Sequence, residues 1–175
     1  MRKFICRRCG KCCTDIGGRF SQREADEIKK AFESLERYGI KLVLSPEEFS
    51  IPLSPEEKNR LEKLAIELGI DFSPKPKLIL KRSNKTEILE WDLGSRSCPF
   101  YSNHKCLVYK DRPLACKSFP VILKPHGFEL LDICPEAKRF SPDEIEKAFP
   151  EESRYAREFS ARIMRIKENL KDNLS

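Results

Sequence analysis

The sequence predicts a small α+β domain, with several amphipathic helices and short β-hairpins around a cysteine-rich metal site. Three observations predict it. Apolar residues recur at helical spacing in three segments, two of them directly preceded by a serine start signal. Other apolar runs break at short turn signals, as hairpins do. Four of the eight cysteines, Cys6, Cys9, Cys12 and Cys13, fall within residues 6–13.

In chain order, Cys6, Cys9 and Cys12 form a C-x-x-C-x-x-C run, and Gly10 lets the backbone turn sharply inside it. Three thiolates round one short loop suit a soft metal centre. Ferredoxin-type clusters use such runs with a remote cysteine followed by proline, and Cys98-Pro99 and Cys134-Pro135 both qualify. Zinc also takes thiolates from C-x-x-C loops. Neighbouring side chains diverge in extended backbone, so Cys12 and Cys13 are expected to serve two metals, or one of them to be buried and idle.

A turn at Gly17-Gly18 follows. Ser21 opens a helix with Glu24 as its capping-box partner, and Ala25, Ile28, Phe32 and Leu35 form its apolar stripe up to Gly39. Leu42 to Leu44 read as a short strand. Ser54-Pro55-Glu56-Glu57 starts a second helix, burying Leu61, Leu64, Ala65 and Leu68 and capped by Gly69. Ser73 to Pro76 reads as a stiff linker. The apolar runs flanking Ser83-Asn84-Lys85 predict a hairpin, and Trp91 packs.

The stretch Cys98 to Tyr109 predicts a second hairpin turning at Asn103-His104, which brings Cys98 towards Cys106. Asp111-Arg112-Pro113 starts a short helix that ends by Pro120, and Cys116 in its first turn is placed for a dipole-favoured thiolate. Val121 to Leu131 alternates around His126-Gly127, a third hairpin. Ser141 caps a helix that Pro150 interrupts. Tyr155, Phe159, Ile163, Ile166 and Leu170 line the last one, a stripe that packs on its own domain or forms a dimer seam.

The domain is expected to span residues 1–175, with a variable insert at about 40–96. Hydrophobic residues make up 39% of the chain and charged residues 35%, which excludes a disordered chain and suggests a dense ionic surface. No stretch reaches the length of a membrane span, and MRKFICRRCG has no apolar run behind its basic residues. A cytoplasmic protein is expected. In a reducing compartment, eight cysteines suggest metal before disulfides. Abundant Lys and Glu beside a single glutamine, Gln22, resemble proteins from hot environments.

The net charge of +6 is concentrated. Arg2, Lys3, Arg7, Arg8 and Lys11 crowd the cysteine loop with no acid among residues 1–13. Setting these five aside leaves 29 of the 34 basic residues against 28 acidic ones. We read this cluster as compensation for gathered thiolates rather than as a nucleic-acid patch, because no aromatic interleaving supports strand binding. A redox or protein partner is expected. The sequence names neither that partner nor the oligomeric state.

The FxCxxCGxCC start and the CPF…C…Y…RPxxC.sFP block resemble the YkgJ-type CxxCxxCC cysteine-cluster family. Its members are described as zinc- or iron-chelating proteins and are loosely labelled Fe–S oxidoreductases. The resemblance covers residues 4–20 and 98–120. It implies that Cys6, Cys9, Cys12, Cys13, Cys98, Cys106 and Cys116 serve the metal centre, with Cys134 joining through its cysteine–proline step. Arg112 and Pro113 match the family's RP step, Arg112 being either a cation beside a thiolate or a helix-start ion pair. Some larger relatives are flagellin lysine N-methylases. That activity is not carried over, because this chain has no glycine-rich nucleotide fingerprint.

Cys98, Cys106, Cys116 and Cys134 are separated by 7, 9 and 17 residues. None of these gaps is a zinc-knuckle spacing, whereas a [4Fe–4S] cluster needs four thiolates and tolerates remote ones. An iron–sulfur cluster in electron transfer is therefore preferred. The alternatives are a Zn2+-stabilised structural or interaction module and a protein lysine methyl transferase-like enzyme. The bland reading of Cys106, Cys116 and Cys134 is that they are small buried apolar residues. His104 is a candidate ligand by proximity to Cys106, though a polar turn more often leaves a histidine exposed. No catalytic relay can be assembled.

Overall fold

The computed structural model describes residues 3–17 and 20–172, with the side chains of 167 and 169–172 left out. Arg2, Gly18 and the Leu170 side chain, all invoked above, lie outside the described residues. Within them the fold is α+β: six α-helices, a four-stranded sheet and two small hairpins. Among the described residues no helix is long and apolar enough to cross a membrane.

α1 (Lys11–Thr14) is one turn inside the cysteine loop. α2 (Gln22–Glu36) starts at the expected capping box, with Ser21 accepting from Glu24 N–H and the Glu24 carboxylate accepting from Ser21 N–H. β1 is Ile40–Leu42, two residues earlier than the sequence suggested, and β2 is Pro52–Leu53. α3 (Pro55–Leu68) repeats the capping box with Ser54 and Glu57 and ends on left-handed Gly69. Its buried face is narrower than predicted: Leu61 and Ala65 are inside, but Leu68 is 47% exposed.

β3 (Lys75–Arg82) and β4 (Lys85–Asp92) form the predicted hairpin, and the sheet order is β1-β3-β4-β2, antiparallel throughout. Lys75 and Pro76 are therefore strand, not linker. Pro76 stands opposite Trp91 of β4, next to a register shift between Pro76 and Leu78, and such an irregularity is one of the places where a sheet tolerates proline. β5 (Tyr101–Ser102) and β6 (Lys105–Cys106) turn at Asn103 and His104, both with positive φ, as a tight two-residue hairpin requires. α4 (Leu114–Ser118) carries Cys116. β7 (Val121–Lys124) and β8 (Gly127–Leu130) form the third hairpin. α5 (Ile145–Ala148) and α6 (Pro150–Asp172) follow, broken at Phe149 and Pro150 as the proline predicted.

Three apolar clusters hold these elements. Phe32 and Leu35 of α2 pack on Ile40, Leu78 and Leu80 of the sheet. A second cluster joins Ile16, Leu53, Leu61, Ala65, Leu93, Phe100 and Val108, with Cys98 and Cys106 against it. A third gathers Val121, Ile145, Ala148, Phe149 and Ala156, with Phe4 against it. The cysteine loop is slung between the last two. α6 packs against α4 and β7, and Tyr155, Phe159, Ile163 and Ile166 of its apolar stripe are half-buried.

Candidate metal centre

Both cysteine blocks are brought together by backbone pairing. Cys98 N–H donates to the Cys13 carbonyl at 2.7 Å, and Ile16 N–H donates to the Arg96 carbonyl at 2.9 Å. At the other end of the loop, Phe4 N–H donates to the Ala148 carbonyl at 2.9 Å, and its ring stacks on Phe149 at 4.6 Å. Between these anchors Gly10 adopts φ 79°, which a side chain disfavours.

One cavity of about 490 Å3 is lined by all eight cysteines. Its floor is apolar, with Ile16, Leu61, Leu93, Phe100 and Val108. Leu61 and Leu93 come from the motif-free region at 40–96. Cys6 and Cys9 are exposed, Cys134 is buried, the other five are half-buried, and all eight are free thiols. His104 lines the cavity from an exposed turn, whereas His126 stands exposed at the β7–β8 turn and is not among the lining residues.

The electrostatics show how the thiols are grouped. Hydrogen bonding to Cys13, burial and the Cys13 charge push the Cys12 thiol far up. A Cys12 thiolate is in turn felt by Cys98, Cys106, Cys116 and Cys134. Burial pushes the Cys98 thiol up to about 11, with Cys106 and Cys12 adding to it. Cys116 is also raised, chiefly by burial and then by Cys98 and Cys12. This corrects the expectation of a dipole-favoured thiolate, since a five-residue helix cannot offset desolvation. Arg112 favours the thiolates of Cys12, Cys106 and Cys116. Its guanidinium stacks on Tyr109 at 3.9 Å and donates to the Tyr109 carbonyl, and while burial raises the Glu152 carboxyl, the Arg112 charge pulls it down. Arg112 thus stands as a cation that faces the thiols and also acts on the Glu152 carboxyl across the same cavity.

Cys12 and Cys13 are not in extended backbone. They share the single turn of α1, and their sulfurs stand 3.9 Å apart. Two thiolates on one tetrahedral zinc stand about 3.8 Å apart, given Zn–S bonds of about 2.3 Å. The geometric reason for assigning them to different metals is thereby removed.

By chemistry the donor set fits a soft metal: eight free thiols, converging on one cavity, with a backbone N–H of Arg8 donating to Cys6 Sγ at 3.4 Å. Among the described residues, no group of three or more His, Cys, Asp or Glu is arranged to hold an ion as it stands. Ligation therefore needs side-chain rotation into the cavity and loss of thiol protons.

Sequence reasoning missed Tyr101, Glu136 and Glu152, which also line the cavity. The Tyr101 ring lies against Gly10: a β-carbon there would sit 2.0 Å from its hydroxyl. No sequence signal links these two positions. Gly10→Ala is expected to lower stability by about 2 kcal/mol, from the left-handed backbone and the displaced ring, read as a lower midpoint in thermal melts. An unchanged midpoint would show that the loop tolerates a different path.

A family model, CxxCxxCC, described as "Putative zinc- or iron-chelating domain", matches residues 5–148. No curated protein and no solved structure matches the chain.

Proposed function

The chain belongs to the CxxCxxCC family of zinc- or iron-chelating domains, and from that premise we propose that it holds an iron–sulfur cluster and serves electron transfer or redox chemistry. One observation carries this reading: all eight cysteines open onto the same cavity. A single zinc ion uses four thiolates and closes its site. Here the donors are twice that number and the space is wide. Cys6, Cys9, Cys12 and Cys13 would supply the loop ligands, with Cys98, Cys106, Cys116 and Cys134 as the candidates from the far side.

When bound, such a cluster supplies a one-electron couple whose potential depends on hydrogen bonds to sulfur and on exposure. The chain's own residues set both. Arg8 N–H donates to Cys6, and Cys6 and Cys9 face solvent, where a partner can approach. Arg7, Arg8, Lys11 and Arg112 line the same cavity and offset thiolate charge.

The Cys12–Cys13 separation favours a second reading, a zinc-stabilised structural or interaction module. Elemental analysis decides between them. Protein purified without oxygen from iron-replete cells is expected to be brown, with iron and labile sulfide in stoichiometric amounts. Colourless protein with stoichiometric zinc would overturn the cluster in favour of the second reading, and protein with neither metal would overturn both.

A further inference from the structure

Glu57 is a buried carboxylate on α3, far in sequence from every cysteine, and only 6% exposed. Its Oε2 accepts from Arg162 at 2.6 Å and from Ser54 N–H at 2.8 Å. Its Oε1 accepts from Leu114 N–H at 2.8 Å. Arg162 comes from α6, and its other terminal nitrogen lies 3.9 Å from Glu90, which pairs with Lys77 at 2.9 Å. One charge thus ties α3, α6 and the start of α4.

The contact with Leu114 is the unusual one. Leu114 is the first residue of α4, and its N–H is one of the donors a helix start leaves without an internal partner. A serine or aspartate normally answers it from the N-cap position. Here the N-cap residue is Pro113, which has no side-chain acceptor and makes no cap. The Glu57 carboxylate supplies that cap from another element. α4 is only five residues long and cannot hold its own place by helix propensity. Cys116 sits two residues beyond the capped N–H and lines the cavity.

We propose that Glu57 is a positioning residue of the thiol centre: by capping α4 from α3, it holds Cys116 towards the cavity. This rests on the reading of the cavity as a metal centre. It adds that the motif-free region at 40–96 helps to build that centre.

The test compares Leu114→Pro with Leu114→Ala in the full chain. Both remove the leucine side chain, but only proline removes the N–H. Proline suits a first helical position, and Pro113 already has the extended backbone (ψ 157°) that a residue before proline prefers. In reduced, metal-free protein, Cys116 is expected to react with N-ethylmaleimide about tenfold faster in Leu114→Pro than in Leu114→Ala, with Cys98 unchanged, when peptides are read by mass spectrometry. Zinc affinity by chelator competition is expected to fall by a similar factor. Equal Cys116 rates in the two variants would overturn the proposal.

Should Leu114→Pro not fold, Glu57→Met/Arg162→Met reads the same ratio against wild type, because it replaces the buried pair with apolar groups of similar size. A folded double variant with wild-type Cys116 reactivity would also overturn it. If even wild-type protein binds no metal, the metal reading fails, while the reactivity ratio still reports on the role of Glu57.

Discussion

Replacing Cys12 with serine is expected to cost the centre at least about a hundredfold in metal affinity, the binding free energy of a thiolate site being shared among about four ligands. Cys12 is chosen because it is the common neighbour. It is the sulfur that Cys98, Cys106, Cys116 and Cys134 each sense, and it lies 3.9 Å from Cys13. Serine keeps the shape of the side chain but is a poor ligand for a soft metal. The loop should survive, because its backbone is held by Cys98 N–H on the Cys13 carbonyl rather than by the Cys12 side chain. The measurement is metal per chain after dialysis against a graded chelator. Wild-type retention in the variant would mean that the sulfurs share a cavity without sharing a metal.

Phe149→Ala is expected to destabilise the protein by about 3–5 kcal/mol, the usual cost of emptying a large buried aromatic site. In a chain of this size that lowers the melting midpoint by about 10 °C. Phe149 is completely buried and meets Phe4 at 4.6 Å and Phe140 at 4.9 Å. Phe4 lies two residues before Cys6, so the cavity left by Phe149 opens directly under the N-terminal anchor of the cysteine loop. Metal affinity is therefore expected to fall together with stability. A variant that melts lower but binds metal normally would show that Phe4 does not hold the loop.

Much of the architecture was legible locally. Ser21 with Glu24 and Ser54 with Glu57 each announce a helix start, because a serine and a glutamate three residues on answer each other's backbone donors. Asn103-His104 announces a hairpin, because the turn needs residues that tolerate positive φ. The one-turn helix at Lys11–Thr14 was not legible, since four residues show no period. The strand at Lys75-Pro76 was hidden by a proline, which the sheet accommodates beside a register shift opposite Trp91.

The sequence by itself determined which atoms could bind a metal and where most helices and hairpins begin. Both are properties of residue type and short spacing. Only the tertiary structure decided that Cys13 meets Cys98, that Phe149 props Phe4, and that Glu57 caps the helix carrying Cys116. Those contacts join residues far apart in the chain. They are fixed by how apolar faces pack and which buried donors find acceptors, and no local pattern of residues encodes that choice.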